Sequence, residues 1–270
     1  MRTMRILGID MQCLSYDEAF CLFDRWLEHK RARSRSLGLI NVHSCVSGLA
    51  ERSLRNQYNA VDLACIDSMP FLFLARLFYQ RRSDRFYAPD LLLEASRRTS
   101  SRPYTFFLFG GFPGAPEKIA DFLRRQHPSV RIVGTYAPPF REMTAEEDEE
   151  FCRLVNEAAP DFVWVGLGSP KQDWWIANHL DEIHGAILVP SGATFDFFSG
   201  RIRQAPAWIR NIGFEWLFRL TRDFRRLWKR YTVYNVVFLV MFFLERIHIV
   251  SFEPDGDLLF LGRRTAVGNR

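Results

Sequence analysis

The stretch Phe162–His179, FVWVGLGSPKQDWWIANH, changes character halfway along, and that change decides the fold. Its opening FVWVGLG is an apolar run ending in glycine, which suits a buried parallel strand entering a tight turn. The remainder, SPKQDWWIANH, opens a helix with Pro170 near its first turn. It sets Lys171, Gln172 and Asp173 where unpaired backbone N–H groups point outward. A strand handing over to a helix at a glycine turn is half of a βα unit.

The same alternation extends in both directions. RILGIDM (5–11) reads as a strand, followed by a helix from Tyr16 to Lys30 that Ser15 caps, with Glu18 completing a capping box. SLGLINV, AVDLACID, TFFLFGG, VRIVGTY and GAILVPSG read as further strands. Helices are expected over 46–56, 71–79, 90–99, 115–126, 146–158 and 172–179. Such repetition predicts an α/β fold, a mainly parallel Rossmann-like sheet with helices on both faces. The pattern stops near Gly200. Beyond it the chain reads as two helices, 207–231 and 232–247, with a last strand in DLLFLG near the end. The expected organisation is an α/β core over 1–200 and a helical C-terminal appendage over 201–270.

Composition narrows the function. Of 270 residues 48% are hydrophobic and 15% aromatic, ample for a large core and contrary to a disordered or fibrous chain. The cysteines Cys13, Cys21, Cys45, Cys65 and Cys152 have no C-x-x-C spacing and lie in apolar segments. They read as reduced core residues, and with no secretion leader in MRTMRILGIDMQ the expected location is the cytoplasm. Charge is uneven: residues 201–230 hold eight arginines and one lysine against Glu215 and Asp223, a local +7 within a total of +5. Trp208, Trp216, Phe218 and Trp228 interleave with these arginines, so the appendage is suited to an amphipathic or phosphate-bearing partner. The apolar run Val236–Leu244 is too short to cross a bilayer, which takes about 20 residues. A peripheral membrane contact is the expectation, and exposed aromatics there also allow self-association into a homo-oligomer.

Ligands in doubly wound sheets bind beyond the carboxyl ends of the strands. The junctions INVHS (40–44), CIDSMP (65–70), LFGGFPG (108–114), VGLGSPKQ (165–172) and VPSGATFD (189–196) are therefore the candidate site. Gly110, Gly111, Gly166, Gly168 and Gly192 let backbone approach a phosphate or sugar, although simple turns use glycine as readily. No Walker loop, G-x-G-x-x-G or G-x-S-x-G is present. By residue type alone Asp67 serves equally well as a cap for the helix at 71–79. Asp196, set between Phe195 and Phe197, needs a partner or a task.

The segments GGFPG, VGLGSPKQDWW, SGATFDFFSG, RQAPAWIRNIGFEWLFRL and RRLWKRY, in this order, resemble the WecG/TagA/CpsF family of bacterial glycosyltransferases. The likeness runs over roughly residues 5–245. It implies transfer from a UDP-sugar to a lipid-diphosphate-linked acceptor at the inner face of the cell membrane. It further implies no metal, with a tail that folds over the site. On the family pattern Asp67 stands as general base, with Asn41, Arg85 and Gln172 in catalytic positions. Lys171 and Asp90 fall in matching segments, Asp196 falls near the ribose and Tyr136 against uracil. Leu39 stands where the family has threonine, Ser68 where it has glycine and Asp173 where it has glutamate. Of the family's G-V-G, Pro190-Ser191-Gly192 keeps the last glycine.

An inverting transfer needs a carboxylate to take the acceptor's proton and cations to neutralise the departing diphosphate. Arg210, Arg219, Arg222 and Arg226 are the expected cations, since guanidinium forks grip phosphate oxygens. Asp255-Gly256-Asp257 has the D-x-D form of a metal-binding pair, but in EPDGD it reads as a turn. The expectation is thus no cofactor and no metal, with the UDP-sugar as donor substrate. Two rivals are a nucleic-acid binder using the arginine-rich tail and a non-catalytic nucleotide-sugar sensor. The former has no need of glycine-bearing strand ends, so no nucleic-acid partner is expected; the latter would not require Asp67.

Overall fold

The computed structural model describes residues 2–29, 33–222, 224–252 and 258–260. Where one opening strand was expected the chain forms a hairpin, β1 (Arg2–Ile6) against β2 (Ile9–Cys13). The turn residues Leu7 and Gly8 have φ of 49° and 76°, the left-handed pair that matches the twist of a two-residue hairpin. Next come α1 (Tyr16–Glu28), β3 (Arg35–Ile40), α2 (Val42–Ala50), α3 (Arg52–Ala60), β4 (Leu63–Ile66), α4 (Met69–Tyr79) and α5 (Ala88–Arg98). β5 (Thr105–Gly110), α6 (Ala115–Gln126), β6 (Arg131–Tyr136), α7 (Ala145–Ala158), β7 (Phe162–Gly166), α8 (Lys171–Asn178), β8 (Ile187–Pro190) and α9 (Gly192–Phe198) follow. The capping box at Ser15 forms: its hydroxyl accepts from the Glu18 amide at 3.2 Å, and Glu18 Oε2 accepts from the Ser15 amide at 2.7 Å. The single helix expected over 46–56 is two, because Glu51 takes an extended conformation between α2 and α3.

The eight strands form one sheet in the order β1-β2-β4-β3-β8-β7-β5-β6, parallel everywhere except β1–β2. Side-chain alternation divides its core into two faces. Phe106, Leu108, Phe162, Trp164, Ile187 and Val189 meet α1, α5 and α6 through Phe20, Phe23, Leu92 and Ile119. Phe107, Phe109, Val163, Val165 and Leu188 meet α7 and α8, while Ile40, Ala64 and Ile66 meet α2, α3 and α4. Helices therefore cover both faces, which explains why β7 is buried along its whole length. Four of the five cysteines are core residues; Cys21 is the exception, exposed on α1.

After Gly200 the chain forms α10 (Ala207–Asn211), α11 (Glu215–Arg222), α12 (Phe224–Trp228), a π-helical turn (Lys229–Val233) and α13 (Tyr234–Arg246). A short ribbon of β9 (Val250–Phe252) and β10 (Leu258–Phe260) ends the described chain. The long helix expected over 207–231 is thus several short ones, and β9 was not foreseen. α13 lies against α2, with Phe238 and Phe242 buried and Phe238 5.4 Å from Phe71. The tail packs onto the core. Among the described residues no helix is long and apolar enough to cross a membrane.

Candidate active site

Parallel strands bring their carboxyl ends to one edge of the sheet. β5 leads outward to β6 while β7 leads the opposite way to β8, so the connections diverge and leave a crevice between β5 and β7. A cleft of about 970 Å³ opens there. Its walls carry Asn41, Asp67, Gly111, Gly166, Gly168, Lys171, Gln172, Gly192, Asp196 and Arg219 from the sequence expectations. The tail closes part of the opening through Arg219 and Leu227.

Asp67 is the first residue after β4. Asn41, which caps α2 by accepting from the Ser44 amide at 3.2 Å, donates from Nδ2 to Asp67 Oδ2 at 3.0 Å. Asp67 Oδ1 is buried without a hydrogen-bond partner. Burial raises the Asp67 carboxyl above its ordinary value, while the Arg85 guanidinium and the Asn41 hydrogen bond pull it down. Arg85 does not point its fork at the carboxylate. Its Nε donates to the Asp67 backbone carbonyl at 2.6 Å, and its Nη2 donates to Glu215 Oε2 at 3.2 Å. The guanidinium lies 4.4 Å over the Tyr87 ring, and the Tyr87 hydroxyl donates to Glu215 Oε1 at 2.6 Å. The arrangement yields an ordered carboxylate with one free lone-pair face, suited to proton abstraction.

The glycine turns stand on the other side of the cleft. Gln172 Oε1 accepts from the amides of Gly168 at 3.1 Å and Gly192 at 3.0 Å, and so staples the β7–α8 turn to the β8–α9 turn. A Cβ on Gly192 would lie 2.8 Å from that oxygen and 2.8 Å from Gly168 Cα. Gly192 needs to be glycine because the turns touch there, whereas Gly168 needs to be glycine because its φ is 79°. Lys171, the first residue of α8, Arg201 and Arg219 supply cations to the cleft, and Arg201 Nη1 lies 3.6 Å from Asp196 Oδ1. A negatively charged group lying in the cleft against the turns would meet opposite charge from these side chains.

Several expected residues stand away from the cleft wall. Gly110 uses its missing Cβ for strand packing, since a Cβ there would lie 2.5 Å from the Gly166 carbonyl carbon. Tyr136 packs among Phe109, at 6.1 Å, and Phe151, at 5.1 Å, behind the wall. Arg210 is held by Asp90 at 2.7 Å and therefore serves to fasten α10 to α5. Arg222 lies 5.4 Å from Phe218 on an exposed face, and the side chain of Arg226 falls outside the described residues, as do Asp255–Asp257. Sequence reasoning passed over Glu215, Arg201 and Phe140, the last being 83% exposed on the cleft rim. Glu215 carried a legible signal, a carboxylate between Phe214 and Trp216, the same argument applied to Asp196. Among the described residues, metal-ligand atoms gather at Cys152, His179 and Glu182 between α7 and α8. There His179 is already engaged, Nδ1 with the Trp175 carbonyl at 2.6 Å and Nε2 with Asp148 at 2.7 Å.

Comparison with known proteins places the chain in a family. A family model described as the glycosyl transferase WecG/TagA/CpsF family matches residues 4–250. The N-acetylglucosaminyldiphosphoundecaprenol N-acetyl-beta-D-mannosaminyltransferase of Bacillus subtilis (strain 168) is 23% identical over 194 residues, 72% of this chain and 73% of its own length. The protein of the same name from Bacillus spizizenii is 23% identical over 172 residues, 64% of this chain and 65% of its own. That of Staphylococcus aureus (strain MW2) is 31% identical over 121 residues, 45% of this chain and 46% of its own.

Proposed function

The chain belongs to the glycosyl transferase WecG/TagA/CpsF family, and from that premise we propose that it is an inverting transferase. It moves a sugar from a UDP-sugar to a saccharide carried on polyprenyl diphosphate, in the assembly of a cell-surface polysaccharide. The observation that carries this reading is the Asp67 carboxylate, ordered by Asn41 and unpartnered at Oδ1, in the wall of a cleft that also holds the two stapled glycine turns, Arg201 and Arg219. Asp67 takes the proton of an acceptor hydroxyl as that oxygen forms its bond to the anomeric carbon. The bond from that carbon to the UDP β-phosphate oxygen breaks, and its electron pair leaves with UDP. Lys171, Arg201 and Arg219 hold the diphosphate against the turns, so charge neutralisation comes from the chain without a metal. Relatives whose names place the acceptor on a diphosphoundecaprenol support the acceptor class.

A lipid-borne acceptor requires access to a membrane. Trp208, Leu239 and Phe243 in the tail are 61–67% exposed, as is Phe73 on α4 at 65%. These apolar groups beside a local charge of +7 suit peripheral attachment to the anionic inner leaflet. The test is UDP release from a panel of UDP-sugars by the purified chain on vesicles carrying a polyprenyl-diphosphate-linked saccharide. Release that needs the acceptor and persists in EDTA supports the reading. No release with any donor, together with salt-sensitive binding of oligonucleotides, would replace it with the nucleic-acid reading.

A further inference from the structure

Glu215 is the first residue of α11, in the tail, yet its contacts are with the core. Its carboxylate is buried and takes hydrogen bonds from Arg85, in the loop before α5, and from Tyr87. Arg85 in turn holds the backbone carbonyl of Asp67. A continuous chain of contacts therefore runs from the tail to the residue at the end of β4. Arg85 also lies near enough to Asp67 for its charge to be felt there, and that charge is shared with Glu215. Without Glu215 the buried guanidinium would have one carboxylate left to satisfy, that of Asp67, a pairing that would occupy the free oxygen and weaken it as a base.

We propose that Glu215 is a positioning residue that makes seating of the tail a condition for Asp67 to act. It draws the Arg85 fork away from the Asp67 carboxylate and leaves that carboxylate open to the acceptor hydroxyl. This rests on the reading of Asp67 as the general base. The charged and titratable groups facing Asp67 are Arg85, Glu215 and Arg219, with Tyr87 beside them. Removing the charge of Glu215 leaves them net more positive, so proton loss from Asp67 becomes easier and its basicity falls.

The experiment compares Glu215→Gln, Glu215→Ala and Tyr87→Phe with the unaltered chain on acceptor vesicles. It records kcat, donor KM, the acid limb of the rate profile against pH, and the unfolding temperature. Glu215→Gln is expected to keep donor KM and the fold, to lose on the order of tenfold in kcat, the worth of one charge-assisted hydrogen bond, and to move the acid limb to lower pH. Glu215→Ala shifts the same way with a lower unfolding temperature. If neither Glu215 variant folds, Tyr87→Phe reads the same coupling: a severalfold loss in kcat at constant KM supports it, and an unchanged kcat overturns it. An unmoved acid limb, with kcat and KM changing only as the unfolding temperature does, assigns Glu215 a purely structural role and overturns the proposal. Asp67→Asn separates the two ideas. If that variant turns over normally, the base assignment fails; if it is inactive while Glu215→Gln is normal, the positioning role alone fails.

Discussion

Asp67→Asn keeps the shape of the side chain and removes its charge, and it should lower turnover and change how stability depends on pH. In the folded chain burial raises the Asp67 carboxyl above its ordinary value, outweighing Arg85 and Asn41. The folded state therefore holds this proton more tightly than the unfolded state does. Stability from this group is complete below the ordinary carboxylate pKa and is lost as pH rises through the raised, folded value. Each unit of elevation corresponds to about 1.36 kcal/mol, and each kcal/mol to about 2–4 °C in unfolding temperature for a chain near this size. The amide introduces an NH2 where Oδ1 has no partner, a cost of about 1–3 kcal/mol that does not vary with pH. The slope, and not the offset, is thus the test. Thermal unfolding of both proteins between pH 4 and 8 should show the variant gaining on the unaltered chain as pH rises, with a plateau at the pH of the acid limb of kcat/KM. Turnover should fall by about 10²–10⁴, the usual worth of a general base. A pH-independent difference in stability, or a variant that keeps its turnover, would refute the reasoning.

Gly192→Ala forces a Cβ to within 2.8 Å of Gln172 Oε1 and of Gly168 Cα. Overpacking of about 1–3 kcal/mol should open the stapled turns and weaken UDP binding by tenfold or more in calorimetry, whereas unchanged affinity would mean that the turns do not hold the diphosphate. Arg219→Ala should raise donor KM by about tenfold or more, one charge-assisted contact, while Arg222→Ala, outside the cleft, should leave it within about twofold by the same measure. Charging the exposed face of α13 with Leu239→Asp and Phe243→Asp should abolish flotation with anionic vesicles and leave UDP affinity intact, since both side chains are exposed and remote from the cleft.

The sheet was legible because its strands are short apolar runs closed by glycine, and such runs have few alternatives once helices alternate with them. FVWVG and TFFLFG fell where expected. The opening hairpin was not legible, since RILGIDM reads as a continuous apolar strand unless the left-handed conformations of Leu7 and Gly8 are known. Nor was α9, whose seven residues begin with glycine and are too few for a helical period to emerge. In the site, the junctions that carry Asp67, Asn41 and Gln172 could be located because strand ends in such a sheet converge, and the family resemblance picked out the three residues within them. Pairings across the tail could not. That Arg210 meets Asp90 while Arg219 reaches the cleft depends on where α10 and α11 settle, 120 residues or more from their partners. Tyr136 and Phe140 show the same limit on a smaller scale: alternation along β6 sends Tyr136 into the Phe109–Phe151 cluster, and the loop beyond carries Phe140 to the rim.

A crystal structure of the chain with an unreactive UDP-sugar analogue tests the central claim most directly. The diphosphate should lie with the Gly168 and Gly192 turns on one side and the side chains of Arg201 and Arg219 on the other, with the anomeric carbon turned toward the unpartnered oxygen of Asp67. An analogue seated elsewhere, or in the cleft with its anomeric carbon turned away from Asp67 and toward another carboxylate, would contradict it.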